Sequence, residues 1–419
     1  MMSKIGKDIY VDVLILMIIG TYISAQPFFL ISCAYLLYLI LKNNLKLIIP
    51  KIPGFKLYII VIIYSLFVGL YLYQMRFVIR DMYYVLPTVV WIFIGTSIAI
   101  LDPSQRKDFY KTLFLYGGFV AIKVTVAFML DFSINFDNLR NIFGQNVYDV
   151  GFIMPMALIQ MTFFKRVYIS KRVDRAILLL MSIQIVLSFG RIAILQPLLF
   201  ILSTILVAIK YTGYRIKTLK RIFALLLSIV VVFTIASNVI PDSVSEIFTD
   251  KIMNTFSEVD AQQEITSVTS AMNNWRGYEI QAAQAQWTSS NIIVKIFGNG
   301  MGKGIEIHYV PYNWADMVQN NEIPLLHNGF YTMLIKGGII GMIALIAIFV
   351  CPLLKGLKLP KSYEEDGVNY ILVGASIAAI ANTYVVRGPI QQGSFLIWAL
   401  LIGWISSYLT SKSERHIHV

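Results

Sequence analysis

Apolar runs follow one another along this chain with short polar breaks, and one long polar stretch interrupts them late. The runs fall near residues 9–25, 28–42, 57–75, 84–101, 112–130, 149–164, 176–190, 192–209, 222–240, 326–352, 368–386 and 394–411. Most approach the ~20 residues that an α-helix needs to cross hydrocarbon with every backbone group bonded internally. They do not alternate apolar and polar positions, which excludes a β-barrel. The pattern predicts an all-α polytopic membrane protein of about 12 transmembrane helices with one large extracytoplasmic loop. Helices 1–9 occupy 1–240, the loop with an amphipathic helix 241–325, helices 10–12 326–411, and a cytoplasmic tail 412–419.

Composition agrees: 57% of residues are hydrophobic, 14% are charged and mean hydropathy is +0.70, whereas a soluble domain is nearer a quarter charged. Cys33 and Cys351 are far apart in apolar runs, so neither a disulfide framework nor a zinc site follows. The start, Met1 to Gln26, mimics a signal peptide, but Asp8 and Asp12 interrupt it and another apolar run follows at once, so a retained span is expected. The net charge of +12 would suggest nucleic acid in a soluble protein. Here 24 of the 35 Lys and Arg residues fall in loops that are cytoplasmic if both termini are inside. The positive-inside rule therefore sets the orientation, and no nucleic-acid partner is expected. The loop over 241–325 then faces away from the cytoplasm. His416 and His418 read as tail residues rather than a metal site.

The basic residues left over are informative. Lys123 and Lys336 fall within spans, and Lys251, Lys295 and Lys303 in the long loop. The remaining six are all arginines, Arg76, Arg80, Arg140, Arg191, Arg276 and Arg387, each expected at an outer helix end or in an outer loop. They could snorkel to the interface or pair with neighbours such as Asp81. They could also converge on a diphosphate, for which guanidinium forks give planar, bidentate bonds. Arg191 stands in a tight turn, Leu187-Ser-Phe-Gly-Arg191, beside Ser188 and Gly190.

Within the loop, Pro241–Val268 is polar and poor in aromatics, which suits a cover, and Glu258-Val-Asp260 offers a spaced acidic pair of the kind that holds a metal in some glycosyltransferases. Ser267–Ser289 reads as an Ala- and Gln-rich amphipathic helix capped by Asn273 or Asn274. Arg276 and Glu279 share a face of it, as a surface pair or as a phosphate ligand with its holder; Tyr278 lies between them. Phe297-Gly-Asn-Gly-Met-Gly-Lys-Gly304 lacks the strand and helix of a nucleotide cradle, and reads as a flexible turn whose backbone passes close to a ligand. His327, followed by Asn328 and Gly329, opens the tenth span at the water boundary. It is either a structural interface residue or a base that takes a proton from a sugar hydroxyl without a metal. His308 is the other candidate.

Taken in order, Ser188–Arg191, Asn274-Trp-Arg-x-x-Glu279, the glycine run and Leu326-His-Asn-Gly-Phe through Gly341 resemble the O-antigen polymerase and ligase superfamily. The likeness covers most of the chain and is strongest from about 180 to 345. It implies a GT-C-like, metal-independent and cofactor-free transferase in the bacterial inner membrane, working at the periplasmic face on a glycan carried by undecaprenyl diphosphate. By resemblance His327 is the catalytic base and Arg191 and Arg276 hold the diphosphate, with Arg80, Arg140 and Arg387 as weaker candidates. Glu279, Asn328 and Tyr278 are supporting residues. Polymerase is favoured over ligase, which would pass the glycan to lipid A-core, because Arg80-Asp81-Met-Tyr-Tyr84 looks more like the former. The implied partners are the lipid-linked oligosaccharide donor and acceptor, the bilayer and, for chain-length control, a regulator protein. A transporter or flippase, the reading from another class, would predict repeat symmetry and charges lining several spans.

Overall fold

The computed structural model describes residues 2–101, 106–132, 135–212, 220, 223, 265–310, 321–358, 367–391 and 395–417. The expected ninth span at 222–240, except residue 223, the Glu258–Asp260 pair and the cover at 241–264 lie outside them, as does His418. The described chain is all-helical but for one short hairpin. Its first nine helices are α1 (Met2–Gly20), α2 (Ala25–Lys42), α3 (Phe55–Leu72), α4 (Met75–Leu101), α5 (Arg106–Asp131), α6 (Phe136–Phe143), α7 (Val147–Phe163), α8 (Lys171–Leu187) and α9 (Arg191–Thr212). The loop contributes α10 (Val268–Asn273), α11 (Trp275–Ser289) and α12 (Ile292–Phe297), with strands β1 (Ile305–Glu306) and β2 (Glu322–Ile323). Then come α13 (Gly329–Lys358), α14 (Val368–Val386) and α15 (Leu396–Ile417).

This is a polytopic membrane protein. Among the described residues six helices are long and apolar enough to cross a bilayer: α2, α3, α4, most of α5, α13 and α14. The pair α6 and α7, bent by 63°, makes a seventh if it is one broken span. Ile9–Gly20, Arg191–Ile205 and Leu396–Leu409 are apolar but shorter. The outward faces of α2 and α3 carry exposed Leu, Ile, Phe and Tyr, including Leu30, Leu37, Ile60 and Phe67. Lipid solvates such a surface; water does not.

Two boundaries depart from expectation in ways that matter for the site. The helix expected over 84–101 begins at Met75, so Arg76, Arg80 and Asp81 are helical rather than in an outer loop. The segment before α7, expected as plain loop, folds into α6, because Asn135 caps it by accepting from the Asn138 N–H and Phe136, Leu139, Ile142 and Phe143 are buried. Arg140 is left on the exposed face of that short helix.

α15 lies along α4, with backbones meeting at Gly95 and Gly403. A buried aromatic core of Phe109, Tyr110, Trp404 and Tyr408 closes one end of the bundle. A polar seam closes the other: the Gln196 side-chain amide donates to the Tyr148 carbonyl (2.8 Å) and accepts from Asn382 (2.7 Å), tying α7, α9 and α14. In an apolar interior such fully paired amides set which helices are neighbours.

Candidate functional site

The loop module has its own small core. Every third or fourth residue of α11 turns inward, Trp275, Tyr278, Glu279 and Ala283 among them. These pack with Ile305, Ile307 and Ile323 of the hairpin and with Leu326 and Ile335 at the start of α13. The expected single helix over 267–289 is two, parted at Asn274. Ser267 caps α10 reciprocally with Ser270, and Asn274 sits at the N-cap position of α11. The glutamines of α11 sew the module together: Gln286 donates to the Gly304 carbonyl and accepts from the Glu306 N–H, and Gln284 donates to the Tyr331 hydroxyl.

The glycine run anchors this module, and the expectation of a turn free to approach a ligand is corrected. Gly298, Gly300 and Gly302 all have positive φ, 84°, 87° and 97°. A Cβ on Gly298 would meet the backbone of Gly338 and Lys336, and one on Gly300 the Gly69 nitrogen. Gly300 N–H donates to the Lys336 carbonyl and Met301 N–H to the Ser65 carbonyl. Backbone laid on backbone at this distance leaves no room for a side chain. Gly338, at φ 65° and ψ −164°, breaks α13 where the run crosses it.

His327 is held between the module and the bundle. Its backbone N–H donates to Glu279 Oε2 (2.7 Å), and its Nδ1 lies 3.0 Å from Oε1 and 3.1 Å from Oε2. The buried carboxylate also accepts from the Trp275 indole (2.7 Å). Glu279 therefore orients the histidine, a pairing that the expectation for Arg276 and Glu279 did not include. The His327 side chain is 28% exposed against 2% for Glu279. With Nδ1 turned to the carboxylate, Nε2 has no protein hydrogen bond among the described residues.

The neighbours of His327 fix its backbone. Asn328 Oδ1 accepts from the Phe330 and Tyr331 N–H groups at the first turn of α13, and the Thr332 hydroxyl bridges Leu326 N–H and the Asn328 carbonyl. Arg387, at φ 79° directly after α14, donates from Nε to the Leu326 carbonyl (3.0 Å). Tyr278, in contrast, spends its hydroxyl on the N–H groups of His308 (2.6 Å) and Tyr309 (2.8 Å), so it supports the loop.

The arginines divide. Arg140, Arg276 and Arg387, from three separate segments, all lie near enough to the Tyr148 hydroxyl to act on it electrostatically. Arg191 opens α9 five residues before Gln196, after a turn in which Phe189 has φ 47° and the Ser188 hydroxyl accepts from the Gly190 N–H. Phe189 packs on Phe136 of α6 (centroids 5.3 Å), which puts the turn against the helix that carries Arg140. Arg80 stands next to Asp81 (3.4 Å) and lines a hollow of about 250 Å³ with Tyr73, Gln74, Phe77, Glu322 and Pro324.

One constellation was overlooked at the level of sequence. Lys336 and Asp81, both fully buried, form an ion pair across 255 residues. Asp81 also accepts from the Gly302 N–H, and Lys336 also donates to the Lys303 carbonyl (2.9 Å). A lysine inside an apolar run was the available signal, since such a charge needs a partner. Lys123, the other one, donates to the Thr21 carbonyl at the end of α1 (2.6 Å). Among the described residues no group of three His, Cys, Asp or Glu side chains could hold a metal ion.

No protein-family model matches the chain, and no curated protein matches it.

Proposed function

We propose that this protein is a membrane glycosyltransferase of the O-antigen polymerase kind, passing a glycan from undecaprenyl diphosphate to a sugar hydroxyl of another lipid-linked repeat. What carries the reading is the Glu279–His327 pair beside arginines drawn from three segments. The carboxylate presents the imidazole with Nδ1 engaged and Nε2 open, which is the arrangement a general base requires. The acceptor oxygen attacks the anomeric carbon and its proton passes to His327 Nε2. The bond from that carbon to the diphosphate oxygen breaks on the opposite face, and its electron pair leaves with the diphosphate. Glu279 stabilises the imidazolium, and Arg387, Arg276, Arg140 and Arg191 meet the growing negative charge where guanidinium forks are most effective. The configuration inverts, and neither metal nor cofactor takes part.

In this reading the chain has twelve spans in a GT-C-like arrangement within the bacterial inner membrane, with the His327 end facing the periplasm. A transporter needs no carboxylate-oriented imidazole at a helix entrance, and that pair favours the enzyme. Purified protein given undecaprenyl diphosphate-linked repeat units should produce a ladder of products on a gel without added lipid A-core. A single transfer that requires lipid A-core would make it a ligase instead, and no product in either case would remove the enzymatic reading.

A further inference from the structure

α7 begins at the arginine cluster and runs 17 residues to Phe163, about 25 Å at 1.5 Å per residue. The turn that follows, residues 164–170, is therefore at the far end of the bundle from His327. It is rigidly built. Buried Asp174 accepts from the Tyr168 and Ile169 N–H groups (2.9 and 3.0 Å), Ser170 caps α8, and Tyr168 stacks on Phe114 with centroids 4.4 Å apart.

Two hollows flank this turn, of about 590 and 420 Å³, and they share Lys165, Arg166 and Val167. The first is walled by Lys107, Lys111 and Tyr168, with Asp108 the sole acid. The second adds Lys171 and Arg175, but its floor is Leu158, Met161 and Leu178. Arg166 lies over the Tyr110 ring, 5.1 Å from its centroid. Arg166 Nη1 and Tyr168 Oη are both buried without a hydrogen-bond partner among the described residues. Burial pushes the Tyr168 phenol above its ordinary value, so it stays an O–H donor at neutral pH.

A buried guanidinium N–H and phenol O–H with nothing to donate to are costly unless an acceptor arrives. The rim is cationic, so the acceptor is an anion. Its oxygens must reach two donors at once, which a phosphate does. The apolar floor beside it is of no use to a free ion but fits the first methylenes of an acyl chain. We propose that this turn is a binding site for an anionic phospholipid, its phosphodiester on Arg166 and Tyr168 and its chain along Leu158, Met161 and Leu178. Basic recesses between membrane helices are a general solution for such headgroups. The inference is independent of the reaction at His327.

The test uses full-length protein, delipidated in neutral detergent and then given phosphatidylglycerol or phosphatidylcholine, with retained lipid read by native mass spectrometry and melting temperature alongside. Phosphatidylglycerol should be held at least about tenfold more tightly, the effect of one charge-assisted bond to a buried donor, and should raise the melting temperature. Arg166→Gln should bring it to the phosphatidylcholine level, and Tyr168→Phe part of the way. Should Arg166→Gln fail to fold, Lys111→Gln with Lys165→Gln, both exposed, should narrow the preference by thinning the cationic rim without removing the buried donors. Equal retention of the two lipids, or unchanged preference in these variants, overturns the site. Complete displacement of the lipid by inorganic phosphate would assign the hollow to a free anion and overturn the lipid.

Discussion

Two carboxylates tie the loop module to the helical bundle; one holds a lysine on α13 and the other a histidine just before it. Asp81 pairs with Lys336 in full burial, 0% and 1% exposed at the side chains. Each partner has a second, backbone contact, the acid with the Gly302 N–H and the lysine with the Lys303 carbonyl. Glu279 is as deeply buried, but its partner His327 keeps 28% of its side chain in contact with the outside and one ring nitrogen unspent. The same acid–base pairing is sealed from the outside in one place and open to it in the other. What separates them is whether the base stays reachable once the pair has formed.

The sharpest way to break the comparison is to exchange the consequences of mutation. His327→Ala should lower turnover by about 10²–10⁴, the usual contribution of a positioned base, while donor retention and melting temperature stay near the parent. A variant that keeps full activity removes the base. Lys336→Met should do the reverse: it leaves Asp81 buried without its cation and should destabilise the protein by about 3–5 kcal/mol, read by thermal unfolding in detergent. Combining it with Asp81→Asn should recover most of that loss. If the double variant is no better than the single, the pair is not the anchor.

Smaller changes sharpen the contrast. Glu279→Gln retains an acceptor for the Trp275 indole but loses the charge facing the imidazolium, so turnover should fall about ten- to a hundredfold, the range of one hydrogen bond to a charged group. Arg387→Gln should weaken donor binding by about tenfold on the same grounds, measured with a fluorescent lipid diphosphate. The smallest effect belongs to Lys303. Burial opposes its charge, yet hydrogen bonds to Glu322 (2.7 Å) and Glu306 (2.9 Å) outweigh that and raise its value above the ordinary lysine range. A cation whose folded value is raised contributes stability that is full below the unfolded value of about 10.4 and is lost as pH climbs through the folded one. Lys303→Gln should thus lower the melting temperature slightly at neutral pH, where the contribution is full, and flatten the decline above about pH 10.4.

Much of the bundle was legible from local pattern, because a helix in lipid satisfies its backbone within its own segment. α14 fills the expected 368–386, and α2 and α3 begin and end within three residues of expectation. The site was legible in part. His327, Glu279 and Arg387 were all singled out, but Glu279 was joined to Arg276, three residues away on its own helix. Its partner lies 48 residues on. Helix spacing reports neighbours along one face and is silent about what another segment brings to it. The glycine run shows the same limit: Gly at every second position signals close backbone approach, and only the fold tells whether ligand or protein approaches. α6 could have been found from its Asn135 cap and the Phe136, Leu139, Phe143 stripe.

The sequence by itself determined that the chain lives in a membrane, because apolar content and run length are sums over neighbouring residues and need no partner. It also determined which ionisable groups would be expensive to bury and so must find one. The tertiary structure alone decided who those partners are. It set Lys336 against Asp81, placed Arg140, Arg276 and Arg387 within electrostatic reach of the Tyr148 hydroxyl, and set His327 against Glu279. Charge pairing depends on distances of a few ångströms between segments tens or hundreds of residues apart, and no local pattern in the chain encodes them.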